Sequence, residues 1–250
     1  MYLYNLGDSW AWGFDDSFTI PFKRTYADIV AENFGLKKVT CCKPGWALGN
    51  AIEEFLQKVY HKLTADDCVL VTVPPDTRIC VAHYKQSSPY DTHDHRRTQT
   101  VYSDQPLWEA LVETTGFNTY QFELTQNKDL MLIASLCKLK NVKFAFQHNY
   151  SSFTYDPSWR DTLLTDGFVD TNNSMTEWLG IDATAYQGNS IDDQLKRRID
   201  GPKINKNKQK YLTDSFHPNL LGHEVIGQRL TQELTDKWNM QPTNGINYSK

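Results

Sequence analysis

The chain has 250 residues, of which 40% are hydrophobic and 22% are charged, and its net charge is -4. This composition is ordinary for a globular protein and excludes a disordered or fibrous chain. Because the net charge is small, no overall field draws the protein toward nucleic acid or an anionic bilayer, and we expect neither as a partner. No apolar run is long enough to cross a membrane.

The beginning of the chain and the cysteines predict a location. The first residues, Met1 to Leu6, lack the basic start and the long apolar middle of a signal peptide. The five cysteines form an odd set without CxxC spacing, which favours reduced thiols. We therefore expect a reducing, cytoplasmic environment.

The first half of the chain alternates strand-like and helix-like segments. Strands are predicted at 2–6, 36–42 and 68–73, and helices are predicted from a Thr25–Asp28 capping pair to Gly35 and through 52–63. The strands are continuous apolar runs, which is typical of a parallel sheet covered on both faces. The sequence therefore predicts an α/β fold.

The second half repeats the alternation with longer interruptions. Helices are predicted near 105–115 and 118–139, a strand at 142–146, a possible edge strand at 167–169, and a last helix that Pro218 opens. The polar stretch at 79–104 and the irregular stretch at 148–213 are interpreted as loop insertions. No linker divides the chain, so we expect a single domain over 1–250.

Two short motifs lie at opposite ends of this pattern. Ser9 follows the first strand in Gly7-Asp8-Ser9, where a serine more often caps a helix than attacks a carbonyl. Near the other end, Asp214 precedes His217 by three residues, so the carboxylate can orient the imidazole. Because ligands bind beyond the carboxyl ends of parallel strands, the histidine can act as a base for the serine if the chain folds back over the first strand.

Gly7-Asp8-Ser9 after the first strand, a glycine after the second, and D-x-x-H-P late in the chain together resemble the SGNH (GDSL-like) hydrolases. The resemblance spans nearly the whole chain. It implies a three-layer flavodoxin-like sandwich with a mostly parallel sheet of about five strands. It also implies hydrolysis of a small acyl or O-acetyl ester without a metal or organic cofactor.

The resemblance assigns a role to each matching residue. Ser9 matches the nucleophile, His217 the general base and Asp214 the group that holds the histidine. Gly45 matches the glycine whose N–H joins that of Ser9 in the oxyanion hole.

The family's third oxyanion donor, an Asn after strand three, is missing from the stretch 73–78. Thr77 or Arg78 is the predicted substitute, and an Asp76–Arg78 pair that only fixes the loop is the alternative. His148 and Asn149, which follow the next strand, are further candidates and potential substrate contacts.

Other features have weaker functional interpretations. Trp10, next to the nucleophile, is predicted to line a substrate pocket, and the nearby aromatic residues favour a carbohydrate ester. A histidine- and aspartate-rich stretch, 83–95, is interpreted as a solvated loop rather than a metal site, since it lacks metal-ligand spacing. His223 is interpreted as structural.

The second hypothesis is a binding or structural module with reduced or no hydrolytic activity, part of a larger assembly. This hypothesis rests on the missing Asn after strand three. SGNH proteins of this divergent kind also resemble ones encoded by bacteriophages, which would make the protein virion-associated and bring it a protein assembly partner.

Overall fold

A computed structural model of the chain describes residues 1–13, 22–74, 78–84, 96–102, 113, 119–149, 167–170, 173–181, 210–213 and 217–243. For 78–84, 96–102 and 119–123 the backbone alone is described. The strands are β1 (Tyr2–Gly7), β2 (Lys37–Cys42), β3 (Cys68–Val73), β4 (Arg78–Tyr84), β5 (Arg96–Tyr102) and β6 (Lys143–His148). The helices are α1 (Ser9–Trp12), α2 (Tyr26–Asn33), α3 (Leu48–Glu54), α4 (Thr119–Leu139), α5 (Met175–Trp178) and α6 (Leu220–Trp238).

The main sheet has four parallel strands in the order β2-β1-β3-β6. Next to β6, Phe146 and Phe168 form a parallel bridge, in which the Phe146 N–H donates to the Gly167 carbonyl at 2.8 Å. With this bridge as a reduced fifth position, the order is that of flavodoxin-like sheets. The predicted α/β fold with a mostly parallel sheet is confirmed, and the predicted edge strand at 167–169 is reduced to this single bridge.

The sheet is covered on both faces, and successive residues of its central strands point to opposite sides. Leu70 of β3 packs into the cluster beneath α2 and α6, whereas Val69 and Val71 pack into the cluster beneath α3 and α4. The whole of β3 is buried. This explains why the strands read as continuous apolar runs, and it gives the three layers of the predicted sandwich.

Glycine allows the two helices of the first layer to approach closely. A Cβ at Gly227 of α6 would lie 2.7 Å from the Cβ of Ile29 in α2, a distance that real side chains do not tolerate. The predicted Thr25–Asp28 pair is present as a capping box at the start of α2. The helix predicted through 52–63 is less regular, because α3 continues into a π-helical turn at Phe55–Val59 and a 3-10 turn at Tyr60–Lys62.

The insertion near 79–104 differs from the predicted loop. Its backbone forms an antiparallel hairpin in which β4 pairs with β5 from Arg78–Tyr102 to Tyr84–Arg96. Within this polar stretch, two short segments contain residue types that favour strands. These are 79–81, with β-branched and cysteine residues, and 98–101, with threonines. The interpretation of this stretch as loop alone was wrong.

Candidate active site

The turn between β1 and α1 carries Ser9. Gly7 has φ +146°, and a Cβ on it would lie 2.8 Å from the carbonyl oxygen of Thr72 in β3. Asp8 caps α1, since its Oδ1 accepts a hydrogen bond from the Trp10 N–H at 3.0 Å. Ser9 is the first residue of α1, so its own N–H has no acceptor within the helix.

His217 is held by a short antiparallel contact between two segments. The Thr213 N–H donates to the His217 carbonyl at 2.8 Å, and Leu212 forms a bridge with Pro218. Asn219 caps α6 through the Gly222 N–H, and its side-chain amide donates to the Lys210 carbonyl at 2.9 Å. The 210–213 segment thus fixes the backbone from His217 to Asn219.

Pro218 does not open the last helix as predicted. It lies before the cap residue Asn219, and α6 begins at Leu220. Its backbone is extended in the bridge with Leu212, which suits a residue that has no N–H to donate.

The fold brings Ser9 and His217 together across 208 positions of sequence. The Ser9 Oγ lies 2.8 Å from the His217 Nε2, a normal hydrogen-bond length. Ser9 is buried and His217 is half-buried, so the pair is largely shielded from water. An imidazole at this position can accept the serine proton and thereby activate the hydroxyl as a nucleophile.

Other predicted site residues are placed less completely. Asp214 and Thr77 lie outside the described residues, and at Arg78 the structure describes the backbone alone, at the start of β4. Gly45 lies in the turn after β2 with φ +78°, a left-handed conformation that favours glycine. Gly7 and Cys42 are paired in register, so β1 and β2 end side by side and Gly45 follows three positions later.

His148 and Asn149 lie where β6 ends, paired or bonded to the end of β3 at Val73. The His148 ring stacks on Phe168 with centroids 4.6 Å apart, and burial lowers its pKa to about 3. Asn149 is buried, and its side-chain amide lies 3.3 and 3.2 Å from the two carboxylate oxygens of Asp8. A substrate or oxyanion role for either residue stays a prediction.

Trp10 has no exposed surface and packs in the cluster beneath α2 and α6. In this conformation it is a core residue, and its predicted substrate contact stays untested. His223 is buried, as its structural interpretation requires. Its Nδ1 accepts from the Tyr26 N–H at 3.3 Å, and burial lowers the pKa of the imidazole to about 3.

Two contributors to the site were missed in the sequence, the cap at Asp8 and the cap at Asn219. Asn149 was named as a candidate, but its contact with Asp8 was not foreseen. An Asn directly before a helix with an apolar face is a recognisable cap signal, so Asn219 could have been found. No local pattern indicates that Asn149 reaches Asp8, because the two residues are 141 positions apart.

Within the part of the chain that the structure describes, no group of three or more His, Cys, Asp or Glu side chains is arranged to hold a metal ion. Among the same residues, no helix combines the length and apolarity that crossing a membrane requires.

No protein-family model matches the chain, and neither does any curated protein sequence. Among solved structures it is similar to a lipase/acylhydrolase from Enterococcus faecalis, with 11% identity over 97% of this chain and 98% of that one, at a TM-score of 0.48. It is also similar to a catalytic mutant of an acetylxylan esterase from Geobacillus stearothermophilus, with 14% identity over 93% of each chain and a TM-score of 0.46. At this level of identity and overlap, the activity must be inferred from the geometry of Ser9 and His217.

Proposed function

We propose that the protein is a serine ester hydrolase in which Ser9 is the nucleophile, His217 the base and Asp214 the residue that orients His217. The observation that supports this most directly is the 2.8 Å contact between Ser9 Oγ and His217 Nε2 at the carboxyl edge of the parallel sheet. A serine at this edge that only capped a helix would need no imidazole. Here Asp8 already caps α1, so the Ser9 hydroxyl is available for chemistry.

In the proposed reaction the Ser9 Oγ attacks the ester carbonyl carbon while the His217 Nε2 takes the hydroxyl proton. The tetrahedral intermediate then expels the alcohol, which receives that proton, and an acyl-serine ester remains. Water attacks this ester with the same imidazole as base, and the acid is released as Ser9 regains its proton. Neither half-reaction needs an oxidant or a further co-reactant.

The negative charge that develops on the carbonyl oxygen of the ester requires hydrogen-bond donors. The N–H of Ser9 has no acceptor within α1, and we propose that it acts together with the N–H of Gly45. The third donor is proposed near Thr77 or Arg78. Ala variants of these two residues test this point: a loss of 10²- to 10³-fold in kcat is expected for a residue that donates.

For the substrate we propose a small acyl or O-acetyl ester. The sequence carries no long apolar stretch of the kind that would line a tunnel for a long acyl chain. The carbohydrate alcohol inferred from the aromatic residues after Ser9 stays a prediction.

The decisive experiment uses a fluorophosphonate that modifies activated serines, followed by peptide mapping. We expect labelling at Ser9 and hydrolysis of 4-nitrophenyl acetate, both abolished in Ser9→Ala and strongly reduced in His217→Ala. His61→Ala is the matched control, because His61 is exposed in the 3-10 turn that precedes β3. It should behave as the wild type.

The second candidate, a binding or structural module with reduced or no hydrolytic activity, draws on the stretch 73–78, in which no Asn follows β3. It would be supported if the folded wild type neither reacts with the phosphonate at Ser9 nor hydrolyses the ester. The same result would refute the proposed hydrolase.

A further inference from the structure

The carboxylate of Asp8 is buried and receives hydrogen bonds from two directions. Its Oδ1 accepts from the Trp10 N–H at 3.0 Å within α1. From the residue that follows β6, the Asn149 Nδ2 lies 3.3 Å from Oδ1 and 3.2 Å from Oδ2. A buried carboxylate depends strongly on such donors, because losing one leaves charge uncompensated in a region of low dielectric.

Asn149 is itself fixed to two other elements. Its carbonyl accepts from both the N–H and the Oγ1 of Thr176, at 3.1 and 2.7 Å. Its own N–H donates to the Val73 carbonyl at the end of β3, at 3.4 Å. Thr176 lies in α5, whose start is closed by a capping box of Ser174 and Glu177. The amide that reaches Asp8 therefore comes from an anchored backbone.

We propose that Asn149 is a positioning residue for the nucleophile: its amide holds the Asp8 carboxylate, and Asp8 in turn fixes the turn that presents Ser9 to His217. The inference rests on the proposed hydrolase function and deepens it. Because α1 has only one turn, the cap at Asp8 is a large part of what orients its first residue. In this role Asn149 acts through Asp8.

The variant N149D tests this link with little change in shape. It replaces the donor by a second carboxyl beside Asp8, and repulsion between two buried carboxylates this close raises the pKa of one of them well above its ordinary value, so that both are charged only at high pH. At about pH 8 the repulsion should displace Ser9 and lower kcat about 10- to 100-fold, with a smaller effect on KM. As the pH falls, one carboxyl keeps a proton and donates an O–H to the other, so the ratio of variant to wild-type kcat should rise.

Taking the ratio of variant to wild-type kcat removes the effect of the other titratable groups near this pair. Protonation of His217 inactivates both proteins, so its effect cancels in the ratio. On α2 and β2, burial raises the pKa of Tyr26 and of Cys42 well above their usual values, with a smaller contribution from Asp8. Burial lowers the pKa of His148 on β6 to about 3. All three side chains therefore stay neutral between about pH 5 and pH 8.

The double variant D8N/N149D exchanges donor and acceptor. The amide oxygen at position 8 can still accept from the Trp10 N–H, while its nitrogen replaces Oδ2, the atom 3.2 Å from the partner side chain. This pair has one donor and one carboxylate, as in the wild type. We expect kcat at about pH 8 to exceed that of either single variant and its ratio to wild type to be nearly independent of pH.

Asn33→Asp is the matched control. Asn33 is also buried and donates from its Nδ2 to the Thr231 Oγ1 at 3.0 Å, but that contact joins α2 to α6 away from Ser9. It should lower the melting temperature without a pH-dependent kcat ratio. Loss of stability alone therefore does not reproduce the expected profile.

The outcomes separate the two proposals. A wild type that neither hydrolyses the ester nor reacts at Ser9 removes the hydrolase, and this inference with it. An active wild type with a flat N149D ratio, or with a double variant no better than the singles, overturns the positioning role alone. If N149D does not fold, the double variant decides: an active protein supports the role, and an inactive or unfolded one refutes it.

Discussion

Replacing Gly7 with alanine should both destabilise the protein and impair the site. The new side chain would have to adopt φ +146°, a conformation that costs an L-residue about 1–3 kcal/mol. Its Cβ would also lie 2.8 Å from the Thr72 carbonyl oxygen and 2.9 Å from the Ala11 Cβ. The first of these is backbone within the sheet and cannot rotate away.

Relief of this overlap requires movement of the β1–α1 turn, and overpacking of this kind costs about 1–3 kcal/mol more. The total loss in the free energy of unfolding is therefore about 2–6 kcal/mol. Because Asp8 and Ser9 follow directly, the same movement should lengthen the contact between Ser9 and His217. We expect kcat for 4-nitrophenyl acetate to fall even in the fraction that remains folded.

Gly180→Ala provides the comparison. Gly180 also has a positive φ, +71°, but among the described residues no atom outside its two chain neighbours lies within 4 Å of the position that its Cβ would take. This variant should lose only the conformational part, about 1–3 kcal/mol, and keep its kcat. Urea unfolding of both variants measures the difference. Equal losses, together with an unchanged kcat in Gly7→Ala, would refute the role assigned to close packing at the turn.

Two further predictions concern the histidine side of the site. Stability contributed by the neutral state of His223, which accepts from the Tyr26 N–H, is complete above its ordinary pKa of 6.5 and is lost as the pH falls toward about 3. Between pH 6.5 and pH 5 the resulting loss in the free energy of unfolding is about 2 kcal/mol. In His223→Gln the free energy of unfolding, measured with urea, should therefore fall less over this pH range. The same fall in variant and wild type would contradict this. Asn219→Ala removes the cap of α6 and the bonds to the 210–212 carbonyls, and should cost about 1–2 kcal/mol by thermal melting while lowering kcat through a less ordered His217. Full activity in that variant would show that the Asn219 contacts are not needed to order His217.

Much of the fold was predictable because its signals are local. The buried strands carry unbroken apolar runs, and the Thr25–Asp28 cap needs only four consecutive residues. Ser9 and His217 were found by the order of two short motifs around this pattern. The hairpin of β4 and β5 was missed, because the many polar residues in these segments of the sequence leave little hydrophobic periodicity.

By itself the sequence determined the α/β class, the succession of strands and helices, and the two residues best suited to nucleophilic chemistry. Only the tertiary structure decided that these two residues meet at 2.8 Å, that Trp10 is enclosed in the core, and that Asn149 bonds to Asp8. The physical reason is the separation of the interacting residues along the sequence. Periodicity and capping involve neighbours a few positions apart, whereas contacts across 141 or 208 positions depend on strand order and on the packing of both helical layers.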